Sequence, residues 1–206
     1  MFPKEISKYV KNLAFTKDSI GRSDDQVYIF EDKYILKVSS NIETLKNEKE
    51  MFDFLSSCNV PGSQSVCYFK DTNKAYYLRT YINGDSLIDS RFINNPMLLI
   101  DTLVPIIKVL RSLDSSKCKI KSKGNVGNDF VHGDLCLPNI LVDQNNHFVG
   151  FIDLGNAGLG DCWYDYASLL WSLEYNLKTK QYNDILLNKL GLKFDEEKYN
   201  YYKNDD

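Results

Sequence analysis

Two histidines in 206 residues, His132 and His147, are too few to assemble a histidine-based metal site or a hydrolase triad. The five cysteines, Cys58, Cys67, Cys118, Cys136 and Cys162, are odd in number, scattered and without a C-x-x-C pair. That pattern excludes a disulfide framework and reads as reduced thiols. Positive charge is not in surplus: 25 Lys and Arg stand against 28 Asp and Glu, a formal net charge of -3, so no polybasic field invites nucleic acid. No apolar run reaches the length of a membrane span, and the opening Met-Phe-Pro-Lys-Glu-Ile-Ser-Lys lacks the apolar core of a signal peptide. Neither nucleic acid nor a membrane is expected as a partner, and a cytoplasmic location is.

What is present is a foldable chain, 43% hydrophobic and 13% aromatic, long enough for one large domain or two small lobes. The first eighty or so residues read as strands with one helix, the rest as mostly helices, so the expected class is α+β with lobes at 1–82 and 83–206. Gln26–Phe30 and Lys33–Val38 flank Glu31-Asp32 as a hairpin, and Ser65–Phe69 with Ala75–Tyr81 form another after the Pro61-Gly62 break. Asn41–Ser57 carries helical periodicity. Met97–Leu113 is an apolar helix containing Pro105, which predicts a kink or break near Thr102. Asp161–Leu177 and Tyr182–Leu190 read as two further helices, the second capped by Gly191.

The chemistry concentrates in Val131–Asp153, VHGDLCLPNILVDQNNHFVGFID. Ile140-Leu141-Val142 and Phe148–Ile152 are short apolar runs around a polar turn, a hairpin signal that returns Asp153 to the neighbourhood of Asn139. Asp134 is then placed to orient and deprotonate a hydroxyl. Asn139 and Asp153 offer oxygen ligands suited to Mg²⁺ bound mainly through nucleotide phosphates. One base and two metal-holding oxygens are what phosphoryl transfer needs from a protein. Alone, each short motif is also an ordinary turn or strand end; their order around one hairpin carries the assignment. His132 reads as a structural residue bonding the loop backbone, and Cys136 as filler within the loop.

Upstream, Lys37 ends a strand run where its amine would reach α- and β-phosphates. Glu48 is its candidate ion-pair partner, with Glu43 and Glu50 as competitors on the same helix. Ile20-Gly21-Arg22-Ser23-Asp24-Asp25 could lay N–H groups over phosphates, although an ordinary turn fits it equally well. The connector Arg79–Gly84 offers backbone groups of Thr80 and Ile82 to an adenine edge.

Together these residues resemble the aminoglycoside 3'-phosphotransferases, small kinases that share the protein-kinase fold. Gly21-Arg22-Ser23 with Val27-Tyr28 is similar to the family's nucleotide loop, Lys37 to its phosphate lysine and Glu48 to the partner glutamate. His132-Gly133-Asp134 with Asn139 resembles the catalytic loop, and Gly150–Gly155 the metal-binding strand. Gly158, Asp161 and Asp165 fit the segment that follows, and Leu190–Lys193 with Asp195 the C-terminal part. The resemblance implies a bilobal protein-kinase-like fold with a small β-rich N-lobe and a mostly helical C-lobe. It also implies transfer of the γ-phosphoryl of ATP, or of GTP, to a hydroxyl of an aminoglycoside. Asp134 would be the base, Asn139 and Asp153 the Mg²⁺ ligands, and Lys37 the phosphate contact.

Departures bear on the acceptor. Thirteen residues separate Cys118 from His132, where the family carries a much longer helical segment that walls the antibiotic site. Asn156 stands in place of an arginine, and Tyr175-Asn176 where some members have an acidic pair. Asp205 and Asp206 could compensate in part, since polycations need carboxylate partners. A kinase for a smaller hydroxyl metabolite, and a nucleotide-binding pseudoenzyme, are the alternatives these departures raise.

Overall fold

A computed structural model describes residues 2–18, 25–122 and 127–203. The chain divides into two compact units, Met1–Asn83 and Gly84–Asp206.

The first unit is a five-stranded antiparallel sheet in the order β1-β2-β3-β5-β4. Its strands are β1 (Phe15–Asp18), β2 (Gln26–Phe30), β3 (Tyr34–Ser39), β4 (Ser65–Lys70) and β5 (Ala75–Thr80). Strands β2 and β3 are β-branched and aromatic, as pleated surfaces favour. Their two-residue turn, Glu31-Asp32, has φ of 48° and 50°, and the Lys33 N–H closes onto the Phe30 carbonyl at 2.9 Å. Positive φ at both positions matches the twist of the flanking strands.

Two helices, where the sequence suggested one, accompany this sheet. The unforeseen helix, α1 (Lys4–Val10), is too short to declare itself by periodicity or to stand alone. Burial holds it, with Ile6 and Val10 joining Phe30, Leu36, Val38 and Leu78 in one core. Each such apolar side chain contributes about 1.5–3 kcal/mol. The second helix, α2 (Ile42–Ser57), is capped by Asn41, whose Oδ1 accepts the Thr44 N–H at 3.1 Å.

The second unit carries the helices α3 (Ser90–Ile93), α4 (Pro96–Arg111), α5 (Cys162–Leu177), α6 (Gln181–Leu190) and α7 (Glu196–Lys203). A small sheet, β6-β8-β9, is formed by Asp85–Ser86, Ile140–Val142 and Phe148–Phe151. A separate pair joins β7 (Asp129–Val131) to β10 (Gly158–Gly160). The break expected in α4 does not occur, and the helix runs unbroken through Pro105. Proline costs the carbonyl four residues back its partner. That residue, Asp101, is exposed, so its backbone faces solvent while Leu99, Ile100, Leu103, Ile106, Ile107 and Leu110 fill the core.

Helix α5 begins at Asp161, whose Oδ1 accepts the Trp163 N–H at 2.9 Å and whose Oδ2 meets Lys198 of α7 at 2.7 Å. Gly191, at φ 73°, ends α6 in the left-handed conformation the sequence suggested. Among the described residues, no helix is long and apolar enough to cross a membrane.

Candidate active site

In the first unit, strand alternation sends Leu36 and Val38 to the core shared with α1 and Lys37 to the opposite face. There α2 supplies Glu48, and Lys37 Nζ lies 2.8 Å from Glu48 Oε2 and 3.5 Å from Asp25. Glu48 is fully buried and Lys37 largely so. Of the three candidate glutamates, Glu48 makes this pair, while Glu50 is engaged by Lys46 at 3.6 Å.

Ser23 and the rest of Gly21-Arg22-Ser23 lie outside the described residues. Thr80 is the last residue of β5. Its N–H donates to the Gln64 carbonyl at 2.9 Å and its carbonyl accepts the Ser63 hydroxyl, so both backbone groups serve the β4–β5 edge. Ile82 is buried just beyond it.

In the second unit, β7 delivers His132-Gly133-Asp134, and a single 3₁₀ turn, Leu137–Asn139, leads into β8. The hairpin forms with Ile140 opposite Phe151, and the Ile152 N–H donates to the Asn139 carbonyl at 3.0 Å. Asp153 is thereby brought beside Asn139, at a φ of 60°. Asn139 Nδ2 donates to the Asp134 carbonyl at 3.0 Å and to Asp134 Oδ2 at 2.9 Å. With its amide nitrogen committed, Asn139 has its side-chain oxygen left to offer, and an Asn and Asp oxygen pair is a donor set that suits Mg²⁺.

The loop is held from α5 by residues to which the sequence reading assigned no role. Fully buried Asp165 accepts the backbone N–H groups of His132 and Gly133, each at 3.0 Å, and pairs with Arg111. Burial opposes the Arg111 charge, yet Asp165 holds its guanidinium above the usual value. Seven residues along the helix, Ser172 Oγ accepts the Leu137 N–H at 3.0 Å. Between them, Ser168 Oγ donates to Asp134 Oδ1 at 3.4 Å. The spacing 165, 168, 172 places all three on one helix face. A polar stripe in an otherwise apolar helix was the available signal.

His132 is structural, as its sequence context indicated. It is fully buried, and its Nδ1 accepts the Asp134 N–H at 3.3 Å. Burial lowers its pKa against the pull of Asp165, Asp134 and Asp153, which keeps the imidazole neutral. Gly133 has φ +82°, and a Cβ there would lie 2.3 Å from the Asn156 carbonyl oxygen, so no side chain fits. Beside the loop, Gly133, Ala167, Ser168, Trp171, Tyr202 and Lys203 line much of a pocket of about 170 Å³.

Residues 128–202 match the model of the phosphotransferase enzyme family. The chain is similar to aminoglycoside phosphotransferases. It is 28% identical to a probable aminoglycoside 3'-phosphotransferase of Lactococcus lactis, over 92% of this chain and 88% of the relative. That alignment spans 234 residues, more than this chain has, so the relative carries residues missing here. An Enterococcus faecalis aminoglycoside 3'-phosphotransferase is 42% identical over 73 residues, covering 35% of this chain and 27% of its own. In three dimensions the chain is similar to a Streptomyces rimosus aminoglycoside phosphotransferase solved with ADP and streptomycin. The TM-score is 0.79 at 17% identity, covering 97% of this chain and 94% of that one. The fold of this phosphotransferase-like chain is thus the α+β kinase-like fold of those enzymes.

Proposed function

We propose that the protein transfers the γ-phosphoryl group of ATP, or of GTP, to a hydroxyl of an aminoglycoside in the cytoplasm. The observation that carries this reading is the convergence of Asp134 and Asn139, with Asp153 returned beside them by the β8–β9 hairpin. Relatives named as aminoglycoside phosphotransferases, and a fold neighbour holding ADP and streptomycin, support the donor and the acceptor class.

In the reaction, the acceptor O–H bond breaks and its proton passes to the Asp134 carboxylate. The acceptor oxygen bonds to the γ-phosphorus, and the bond to the β-phosphate oxygen breaks to release nucleoside diphosphate. Asn139 and Asp153 would hold Mg²⁺, which neutralises phosphate charge when bound. Lys37, fixed by Glu48, would contact the phosphates, with Ser23 and the Ile82 backbone as further nucleotide contacts. The protein's contribution is mainly position and electrostatics.

A second reading, a smaller and less cationic hydroxyl acceptor, draws on the pocket beside Gly133 and Ser168. Aromatic residues and Lys203 line it, and no carboxylate does among the described residues. Purified protein with Mg-ATP, an aminoglycoside panel including streptomycin and hygromycin B, and a panel of sugars and amino alcohols separates the readings. Turnover with aminoglycosides supports the first, and turnover with small alcohols alone supports the second. Nucleotide binding without turnover on either panel overturns both. Asp134→Asn is expected to lower acceptor-dependent turnover by about 10²–10⁴-fold.

A further inference from the structure

The catalytic carboxylate carries more hydrogen-bond donors than the assigned chemistry uses. Asn139 Nδ2 serves Oδ2, the oxygen on the metal-holding side. The other oxygen, Oδ1, receives the Cys136 thiol at 3.0 Å and the Ser168 hydroxyl at 3.4 Å, and Cys136 Sγ and Ser168 Oγ are themselves 3.3 Å apart. A carboxylate's terminal torsion is broad and two-fold, so packing alone does not set its plane. Donors on both oxygens do. Ser168, which bonds Oδ1, also belongs to the wall of the pocket beside Gly133.

We propose that Cys136 and Ser168 are a positioning pair for the base, which fixes the plane of Asp134 and presents Oδ1 to an acceptor hydroxyl entering from this pocket. The inference rests on Asp134 acting as the base and adds two residues to the machinery around it. Cys136 serves as a donor and not as a nucleophile. Burial, reinforced by the Asp134 charge, pushes its thiol up to about 12, so the S–H persists at neutral pH. Ser172, one turn further along α5, anchors the Leu137 backbone and keeps the thiol's own segment in register. Donors to a carboxylate favour its charged form, the form a base needs.

The test compares Cys136→Ala, Cys136→Ser, Ser168→Ala and the double alanine variant with the wild type, using Mg-ATP and whichever acceptor turns over. Cys136→Ala is expected to lower kcat about tenfold, less than loss of the base itself, with the KM for ATP unchanged. Cys136→Ser, which restores an O–H donor, should recover most of kcat. Ser168→Ala should show a smaller loss in the same sense. The double variant should lose less than the product of the single losses, since both donors share one oxygen. Wild-type kcat in Cys136→Ala, or a Cys136→Ser variant as impaired as the alanine, would overturn the proposal in favour of simple packing.

A measurement that needs no turnover accompanies these. Iodoacetamide labelling of Cys136, read by peptide mass mapping, should run several-fold faster in Asp134→Asn than in the wild type, because the charge that suppresses the thiolate is removed. Equal rates would overturn the proposal even in a chain with full activity. Were the wild type inactive on every acceptor, the function proposed above would fall, and the labelling rates would still decide whether Cys136 donates to Asp134.

Discussion

Lys37 and Asp134 are charged groups placed by opposite means. Lys37 is a cation delivered by strand alternation and flanked by Glu48 at 2.8 Å and Asp25 at 3.5 Å. Asp134 is an anion on a loop with little regular structure, and its position depends on contacts to the backbone around it. Asp165 and Ser172 fix the loop from α5, His132 bonds it from within, and Asn139 ties its end to its start. A sheet supplies direction through its own geometry, whereas a loop must borrow it from a neighbouring helix. The cation therefore takes its direction from the sheet, and the anion takes its from several contacts to its loop.

Removing Asp165 tests the borrowed support and should have the largest effect. Asp165→Ala leaves Arg111 buried beside an empty site and two loop N–H groups without their acceptor. Breaking a buried pair from one side costs about 3–5 kcal/mol, and the orphaned donors add to it. Thermal unfolding should show that loss, together with a collapse of turnover. A variant that kept wild-type stability would mean that the helix does not hold the loop.

Glu48→Ala probes the closer of the two ion pairs of Lys37. Lys37 keeps Asp25 at 3.5 Å, so the stability loss should be smaller, about 1–3 kcal/mol. The informative split is kinetic, with the KM for nucleotide rising and the unfolding of the Asp165 region unaffected. An unchanged KM would remove Lys37 from phosphate binding.

Mild acid should produce the smallest change. The buried His132 has a lowered pKa, so below about pH 6.5 the unfolded chain takes up a proton that the folded chain refuses. Stability is therefore retained above that pH and declines as pH falls toward the folded value. Denaturant midpoints between pH 8 and pH 5.5, compared with those of a His132→Asn variant, should show a decline in the wild type that the variant lacks. Parallel slopes would mean that the ring is protonated in the folded state.

The hairpins, the Lys37–Glu48 pair and the Asn139–Asp153 approach were legible because each follows from local alternation and turn chemistry. What escaped depends on distant packing. Helix α1 is visible only through Ile6 and Val10 meeting a sheet formed later in the chain. The β7–β10 pair joins two three-residue strands with 26 residues between them, and no periodicity betrays them. That Gln64 and Ser63 use the Thr80 backbone was not legible, because its connector looked open. Asp165 was recognised only as part of a resemblance; its task becomes evident when His132 and Gly133 point their N–H groups at it.

The two ends flanking residues 123–126 share an anchor. The Ser122 N–H donates to the Leu159 carbonyl at 3.0 Å, and a Cβ on Gly160 would sit 2.6 Å from Ser122 Oγ. On the other side, a Cβ on Gly127 would sit 2.5 Å from the Gly160 carbonyl oxygen. Both exits therefore rest on one glycine, ahead of the strand that delivers Asp134. Each doubling of a loop costs only about 0.6 kcal/mol. With both ends fixed on Gly160, a segment of different length between Ser122 and Gly127 leaves the start of β7 where it is.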